Sequence, residues 1–293
     1  MPVSGRLLPV HDTQLFVVER GEPDAIPILV LHGGPGMDHT QWGTWLDPLT
    51  QDGRYRLVLI DQRAQGRSDR SAPPQTWTLQ TMASDVSGVA AALGAEDYAV
   101  LGHSYGSFVA LQHAVDAHGA ARATIVSNGV PSSSYLDAVA DNLAAFEPVE
   151  LREQVTAAWA RETSVATQDG YRSLLVDQLP FHFADPRDAR IDDYIAAQAD
   201  AQYAPDILRR FSVEGYGGIE VANALPSVTQ PMLILTGRSD RVCVPEASRA
   251  MAQALPNARL VEFAESGHTP FVEETDAYVR AVREFLDSTE ASP

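Results

Sequence analysis

The chain has 293 residues, 45% of them hydrophobic, enough to bury a substantial core either as one domain with a large insertion or as two domains. It carries 39 Asp plus Glu against 21 Lys plus Arg, a formal charge of -18, which argues against nucleic acid or an anionic membrane as partner and allows cationic ligands. Cys243 is the only cysteine, so an internal disulfide and a cysteine-rich zinc site are both excluded. No run of roughly 18 apolar residues occurs, and Met-Pro-Val-Ser-Gly-Arg lacks the charged-then-apolar order of a secretion signal, so the expected location is cytoplasmic.

In chain order, segments 6–10 and 14–19 alternate apolar and polar residues around His11-Asp12-Thr13, the pattern of a β-hairpin. Segment 26–31 is continuously apolar, as a strand buried on both faces should be, and runs into His32-Gly33-Gly34-Pro35-Gly36. Such a loop has little side chain to pack and offers bare backbone N–H groups to a ligand. Segment 56–60 reads as the next buried strand, followed by Asp61-Gln62-Arg63-Ala64-Gln65-Gly66-Arg67-Ser68, where Asp61 and Arg63 are expected to tie the loop together by ion pairing and hydrogen bonds. Helical spacing over 78–93 (Leu79, Met82, Val86, Val89, Leu93) has Thr78 as its cap and Gly94 as its stop.

An apolar run at 98–101 then meets Gly102-His103-Ser104-Tyr105-Gly106, and a helical pattern follows through Phe108, Val109, Leu111, Gln112 and Val115. A strand–turn–helix junction this sharp forces strained angles on Ser104 and leaves room only for small residues two places before and after it. Gly102 and Gly106 occupy both places, so Ser104 is the candidate nucleophile, with the Tyr105 N–H at the start of the helix facing any charge that develops nearby.

Segment 123–130 is a further strand, after which the alternation of strand and helix stops. Residues 132–225 read as an inserted helical cap, with helices at 135–146, 151–162, 171–179 and 191–201 and with Pro148, Pro180, Pro186 and Pro205 as punctuation. The sheet resumes at 231–236, a helix follows at 246–255, the last strand lies at 259–264, and a closing helix spans 275–286. The expected architecture is therefore a mainly parallel α/β sheet with helices on both faces, its core formed by 1–131 and 226–293.

A serine hydroxyl needs a base, and the base needs an acceptor to fix its tautomer and steady its positive charge. Asp240 and His268 each follow one of the two resumed strands, on the sheet edge where Ser104 sits. His103 competes as base, but as the nucleophile's chain neighbour its side chain should point elsewhere. The other histidines read as structural or exposed, with His32 bracing its own loop. Asn128 ends the preceding strand and cannot act as a carboxylate.

Taken together, His32-Gly33-Gly34-Pro35-Gly36, Asp61-Gln62-Arg63 with Gly66 and Ser68, the Ser104 elbow, Asp240 and His268 resemble the α/β-hydrolase superfamily, particularly its prolyl iminopeptidase branch. The resemblance implies an α/β-hydrolase fold with a mostly parallel eight-stranded sheet. It further implies Ser104 as nucleophile, His268 as general base and then acid, Asp240 as its partner, and the N–H groups of Gly34 and Tyr105 as the oxyanion hole. No metal or cofactor is implied. In that branch glycine often stands where this chain has Ala64, and cap glutamates hold the free amino group of the substrate; Glu220, in Gly217-Gly218-Ile219-Glu220, resembles such a group, with Glu214 as the alternative. The expected activity is that of a serine aminopeptidase acting on small peptides or amides. An ester or lactone hydrolase on the same machinery and a non-catalytic ligand-binding relative are the alternatives.

Overall fold

A computed structural model describes residues 5–290 of the chain. Its single sheet contains β1 (Arg6–Val10), β2 (Thr13–Arg20), β3 (Ile26–Leu31), β4 (Tyr55–Ile60), β5 (Ala99–His103), β6 (Ala123–Ser127), β7 (Met232–Gly237) and β8 (Ala258–Phe263), in the order β1-β2-β4-β3-β5-β6-β7-β8. The hairpin β1–β2 and the pair β2–β4 are antiparallel, and every other neighbouring pair is parallel. Register aligns Leu31 with Gly102, His103 with Ser127 and Gly237 with Phe263, so the loops leaving β3, β5, β6, β7 and β8 emerge along one edge.

The central strands β3 to β7 are apolar on both faces because both are covered. Leu29 and Leu31 point into one core layer with Val86 and Val89 of α1 (Leu79–Ala92) and Phe108 and Val109 of α2 (Tyr105–Asp116). Ile28 and Val30 point into the other, with Tyr278, Val282 and Phe285 of the closing helix. Thr78 caps α1 by accepting the Thr81 N–H at 3.1 Å, and Gly94 ends it at φ 65, as the sequence pattern predicts.

Between β6 and β7 the chain forms α3 (Ala138–Ala144), α4 (Val149–Arg161), α5 (Gln168–His182), α6 (Arg190–Ala197), α7 (Pro205–Val213) and the short turn α8 (Gly215–Gly218). Its two ends are pinned together where Ser133 N–H donates to Ile219 C=O (2.8 Å) and Val221 N–H to Pro131 C=O (2.9 Å). The remaining helices are α9 (Pro245–Ala254), α10 (Pro270–Glu273) and α11 (Thr275–Glu290).

Several boundaries differ from the sequence reading. β6 stops at Ser127 rather than 130, because Asn128 turns to φ 52 and leaves the ladder. The helix expected over 135–146 begins as a 3-10 turn (Ser133–Asp137) before α3. Pro180 does not stop α5, which continues to His182; the proline removes one backbone donor, while burial of Leu179 and Phe181 holds the last turn in place. Pro205 opens a helix the sequence reading lacks, sitting at the first turn of α7 where a missing N–H costs nothing. α6 ends at Ala197, four residues short of the expectation.

Asp61 and Arg63 stabilise their loop, but through separate partners. Arg63 is fully buried and grips Asp85 of α1 with two bonds of 2.7 Å, while Asp12 of the hairpin turn lies at 2.9 Å. Asp61 instead accepts the backbone N–H groups of His39 (2.8 Å) and Arg67 (2.7 Å) and the His39 ring (2.7 Å). Removing the Asp85 carboxylate takes away the buried partner of Arg63 and leaves its charge only the exposed Asp12. Asp85→Ala is therefore expected to lower stability by about 3 kcal/mol, read as a fall in the urea unfolding midpoint with an unchanged slope.

Candidate active site

At the β5–α2 junction Ser104 adopts φ 52, ψ -121, a region that L-residues seldom occupy. A Cβ on Gly102 would lie 2.2 Å from the Gly106 carbonyl oxygen, and one on Gly106 would lie 2.4 Å from that of Leu31. The two glycines therefore permit the turn, and the Ser104 N–H donates to Ser127 C=O (2.9 Å), fastening it to β6. As the first residue of α2, Tyr105 has an N–H with no acceptor within its own helix.

The edge of the sheet brings together three residues widely separated in sequence. His268 Nε2 lies 2.9 Å from Ser104 Oγ, and His268 Nδ1 lies 2.9 and 3.0 Å from the two carboxylate oxygens of Asp240. Asp240 also accepts from Asn128 Nδ2 (2.8 Å) and from the N–H groups of Val242 (2.9 Å) and Cys243 (3.0 Å). Burial opposes its ionisation, but the facing His268, Asn128 and the Val242 amide outweigh that and hold the carboxyl below the usual range. An acceptor-only carboxylate fixes Nδ1 as the protonated nitrogen of His268, which leaves the Nε2 lone pair facing the serine. Asn128, set aside in the sequence as unable to serve as a carboxylate, acts instead as a donor to one.

His103 is not arranged as a base for Ser104. Its Nδ1 meets Gln41 Nε2 at 2.8 Å and its Nε2 meets the carbonyl of His268 at 2.7 Å, and burial pushes its pKa down to about 3. His32 braces its loop, with Nδ1 at 2.8 Å from Gly33 C=O and the Gln62 N–H donating to Nε2 at 3.2 Å. The same loop is bolted from above, where the Tyr171 hydroxyl donates to Pro35 C=O (2.7 Å) and the Ala204 N–H to Gly36 C=O (2.8 Å).

Gly34, Ser104, Tyr105 and His268 line one cavity, about 810 Å³ including its mouth, whose far wall comes from the β6–β7 segment. Most of that wall is apolar. Its acidic residue is Glu162, which is 5% exposed and accepts from the Tyr216 hydroxyl and from Gln178 Nε2 (2.7 Å). Among the described residues no cation pairs with it, and burial raises its pKa to about 7 despite the Tyr216 and Gln178 hydrogen bonds. His182 also lines the cavity; its Nδ1 lies 3.0 Å from Gln178 C=O, which fixes the proton there and leaves Nε2 bare.

The two glutamates singled out in the sequence lie elsewhere. Glu220 is exposed and accepts the Ser132 hydroxyl (2.7 Å), and Glu214 is exposed and pairs with Arg210 (3.2 Å); neither lines the cavity. Glu162 was not distinguishable in the sequence, because it stands just past α4 in a polar stretch and is buried only by the turn of α8 and the face of α5.

A sharp serine elbow, an imidazole and a buried carboxylate on the carboxyl edge of a parallel sheet define a known class of enzyme scaffold. Residues 26–275 match the family model for the alpha/beta hydrolase fold, and the chain belongs to this family. Among curated relatives, it is 30% identical over 316 residues to the proline iminopeptidase of Xanthomonas citri, covering 97% of each chain, and 24% identical over 278 residues to that of Clostridium botulinum, covering 90% of each. Among solved structures, the proline iminopeptidase of Mycobacterium smegmatis superposes with TM-score 0.75 at 24% identity, covering 98% of both chains. An esterase from Exiguobacterium antarcticum superposes with TM-score 0.72 at 21% identity, covering 98% of this chain and 100% of its own. The chain thus resembles the prolyl iminopeptidase branch while sharing its fold with esterases. Among the described residues no helix is long and apolar enough to cross a membrane.

The raised pKa of Glu162 has a direct consequence for stability. A carboxyl that binds its proton more tightly when folded contributes stability that is complete below about pH 4.5 and lost as pH rises through 7. Glu162→Gln should therefore gain stability relative to wild type between pH 5 and 8, with the difference vanishing toward pH 4, as followed by thermal unfolding across that range.

Proposed function

We propose that the protein is a serine hydrolase working through an acyl-enzyme, and that its substrate is a small amide or short peptide with a free amino terminus, of the kind a proline iminopeptidase cleaves. Ser104 Oγ attacks the carbonyl carbon as His268 Nε2 takes the hydroxyl proton, and Asp240 stabilises the resulting imidazolium. The negative oxygen rests between the N–H groups of Gly34 and Tyr105, where loss of one donor typically costs ~100 to 1000-fold in rate. Collapse of the intermediate breaks the C–N bond, and His268 returns its proton to the departing amine. Water then attacks the acyl-serine by the same proton path and releases the acid. Residues 132–225 serve as a cap that closes the pocket.

The observation carrying the substrate class is Glu162, a buried carboxyl that faces a largely apolar cavity and pairs with no cation among the described residues. Binding an ammonium would supply the missing countercharge and offset part of the cost of burying the carboxylate. A second reading, ester hydrolysis, rests on the apolar wall formed by Leu136, Val139, Leu174, Leu175, Leu179 and Val242, which would accept an acyl chain with no use for Glu162.

Two measurements test these readings. A fluorophosphonate should label the folded wild type and fail to label Ser104→Ala; absence of wild-type labelling would favour a ligand-binding protein over an enzyme. Prolyl-anilide should be turned over, and Glu162→Gln should raise its KM at least about 10-fold, the loss expected for one charge-assisted contact. Turnover of short p-nitrophenyl esters alone, unchanged in Glu162→Gln, would instead establish the esterase.

A further inference from the structure

We propose that Gln41 and His103 are positioning residues that hold the loop carrying Gly34 at a fixed distance from the loop carrying His268. The role rests on the hydrolase reading above. Three bonds connect the two loops: Gly33 N–H to Gln41 Oε1 (2.5 Å), Gln41 Nε2 to His103 Nδ1 (2.8 Å), and His103 Nε2 to His268 C=O (2.7 Å). Both middle residues are buried, at 1% and 2% exposure, so no solvent substitutes for a lost partner.

The polarity of the relay is set by its ends. A backbone N–H can only donate, so Gln41 must turn its oxygen to Gly33 and its amide nitrogen to His103. A backbone carbonyl can only accept, so His103 must carry its proton on Nε2 and keep Nδ1 bare to receive the Gln41 donor. One protonation state, the neutral imidazole, satisfies all three bonds. Trp42 and Phe271 hold that ring edge-on at 6.0 and 5.0 Å, and the absence of a Cβ at Gly33 lets His103 Nδ1 approach to a point 3.1 Å from where that atom would be. The titratable groups facing His103 are His268, with its ring centre at 5.0 Å, His182 and Asp240.

Gly33 immediately precedes the proposed oxyanion donor, and the His268 carbonyl belongs to the proposed base. The relay therefore spans the distance that must stay constant while charge develops between them, and it does so without touching substrate.

The test uses the full chain and the rate of fluorophosphonate labelling of Ser104 as a function of pH, which follows the state of the base whatever the natural substrate is. Gln41→Leu removes the relay at similar volume and should slow labelling at least about 10-fold while circular dichroism and the unfolding midpoint report a folded protein. Gln41→Glu keeps size and the bond to Gly33, and nitrogen-15 NMR of His103 tells which of two states follows: a neutral carboxyl donates to the bare Nδ1 and preserves the relay, whereas an ionised one obliges His103 to take a second proton. In the first state labelling should keep the wild-type rate; in the second a cation stands between the new carboxylate and His268, and the acidic limb of the labelling profile should move down by roughly 0.5 to 1 unit. Wild-type labelling in a folded Gln41→Leu, labelling in Gln41→Glu slowed by about 10-fold or more while His103 stays neutral, or an acidic limb that is unmoved or shifted upward while His103 is doubly protonated, overturns the relay. If Gln41→Leu fails to fold, the size-conserving Gln41→Glu decides alone. A wild type that takes no label overturns the hydrolase reading instead, so the two failures are separable.

Discussion

Everything at this site follows from how closely β5 and α2 approach one another. The two elements can meet at that distance only where Gly102 and Gly106 face each other and the strand end of β3, with less than 2.5 Å left for a missing Cβ at either position. The resulting φ of 52 at Ser104 is held against its own strain by the bond to Ser127 and by the helix that begins one residue later. Because β6 supplies that bond and then turns at Asn128, the residue that orients Asp240 is positioned by the same strand that fastens the elbow. Nucleophile and carboxylate are thus referred to one rigid frame, and His268 fits between them.

The electrostatics of the pocket are asymmetric. The two imidazoles nearest to His268, those of His103 and His182, are both kept neutral, with pKa values pushed by burial to about 3. Neither adds a positive charge that would compete with an imidazolium at His268. On the far wall Glu162 is held by two neutral donors, and among the described residues no cation pairs with it.

The middle of the sheet was legible in the sequence because β3 to β7 are buried on both faces and read as unbroken apolar runs, the hairpin because it alternates, and the elbow because only glycine can flank it. The convergence of Ser104, Asp240 and His268 followed from a topological rule, that loops after parallel strands share an edge. The overlying segment obeyed no such rule. Pro180 lies inside a helix and Pro205 starts one, and the difference depends on tertiary burial and on position within the first turn, neither of which the residue name carries. Glu162 escaped notice for the same reason, since its burial is created by α5 and α8 folding over it, whereas Glu220 sits in a suggestive glycine context and remains exposed. Ala64 is the reverse case: the resemblance to the prolyl iminopeptidase branch leads one to expect glycine there, and the backbone does adopt the left-handed φ of 58 that glycine accommodates more easily.

The bonds from Tyr171 to Pro35 and from Ala204 to Gly36 join the roof of the pocket to the glycine-rich turn beneath it. The helices over the cavity and the turn that carries Gly34 are in this way parts of one mechanical assembly rather than separable modules. Transplanting a roof from a relative with different selectivity would also exchange two of the supports on which that turn rests. Changes of preference in this scaffold are therefore more economically made by single replacements facing the interior of the pocket than by wholesale exchange of the helices above it.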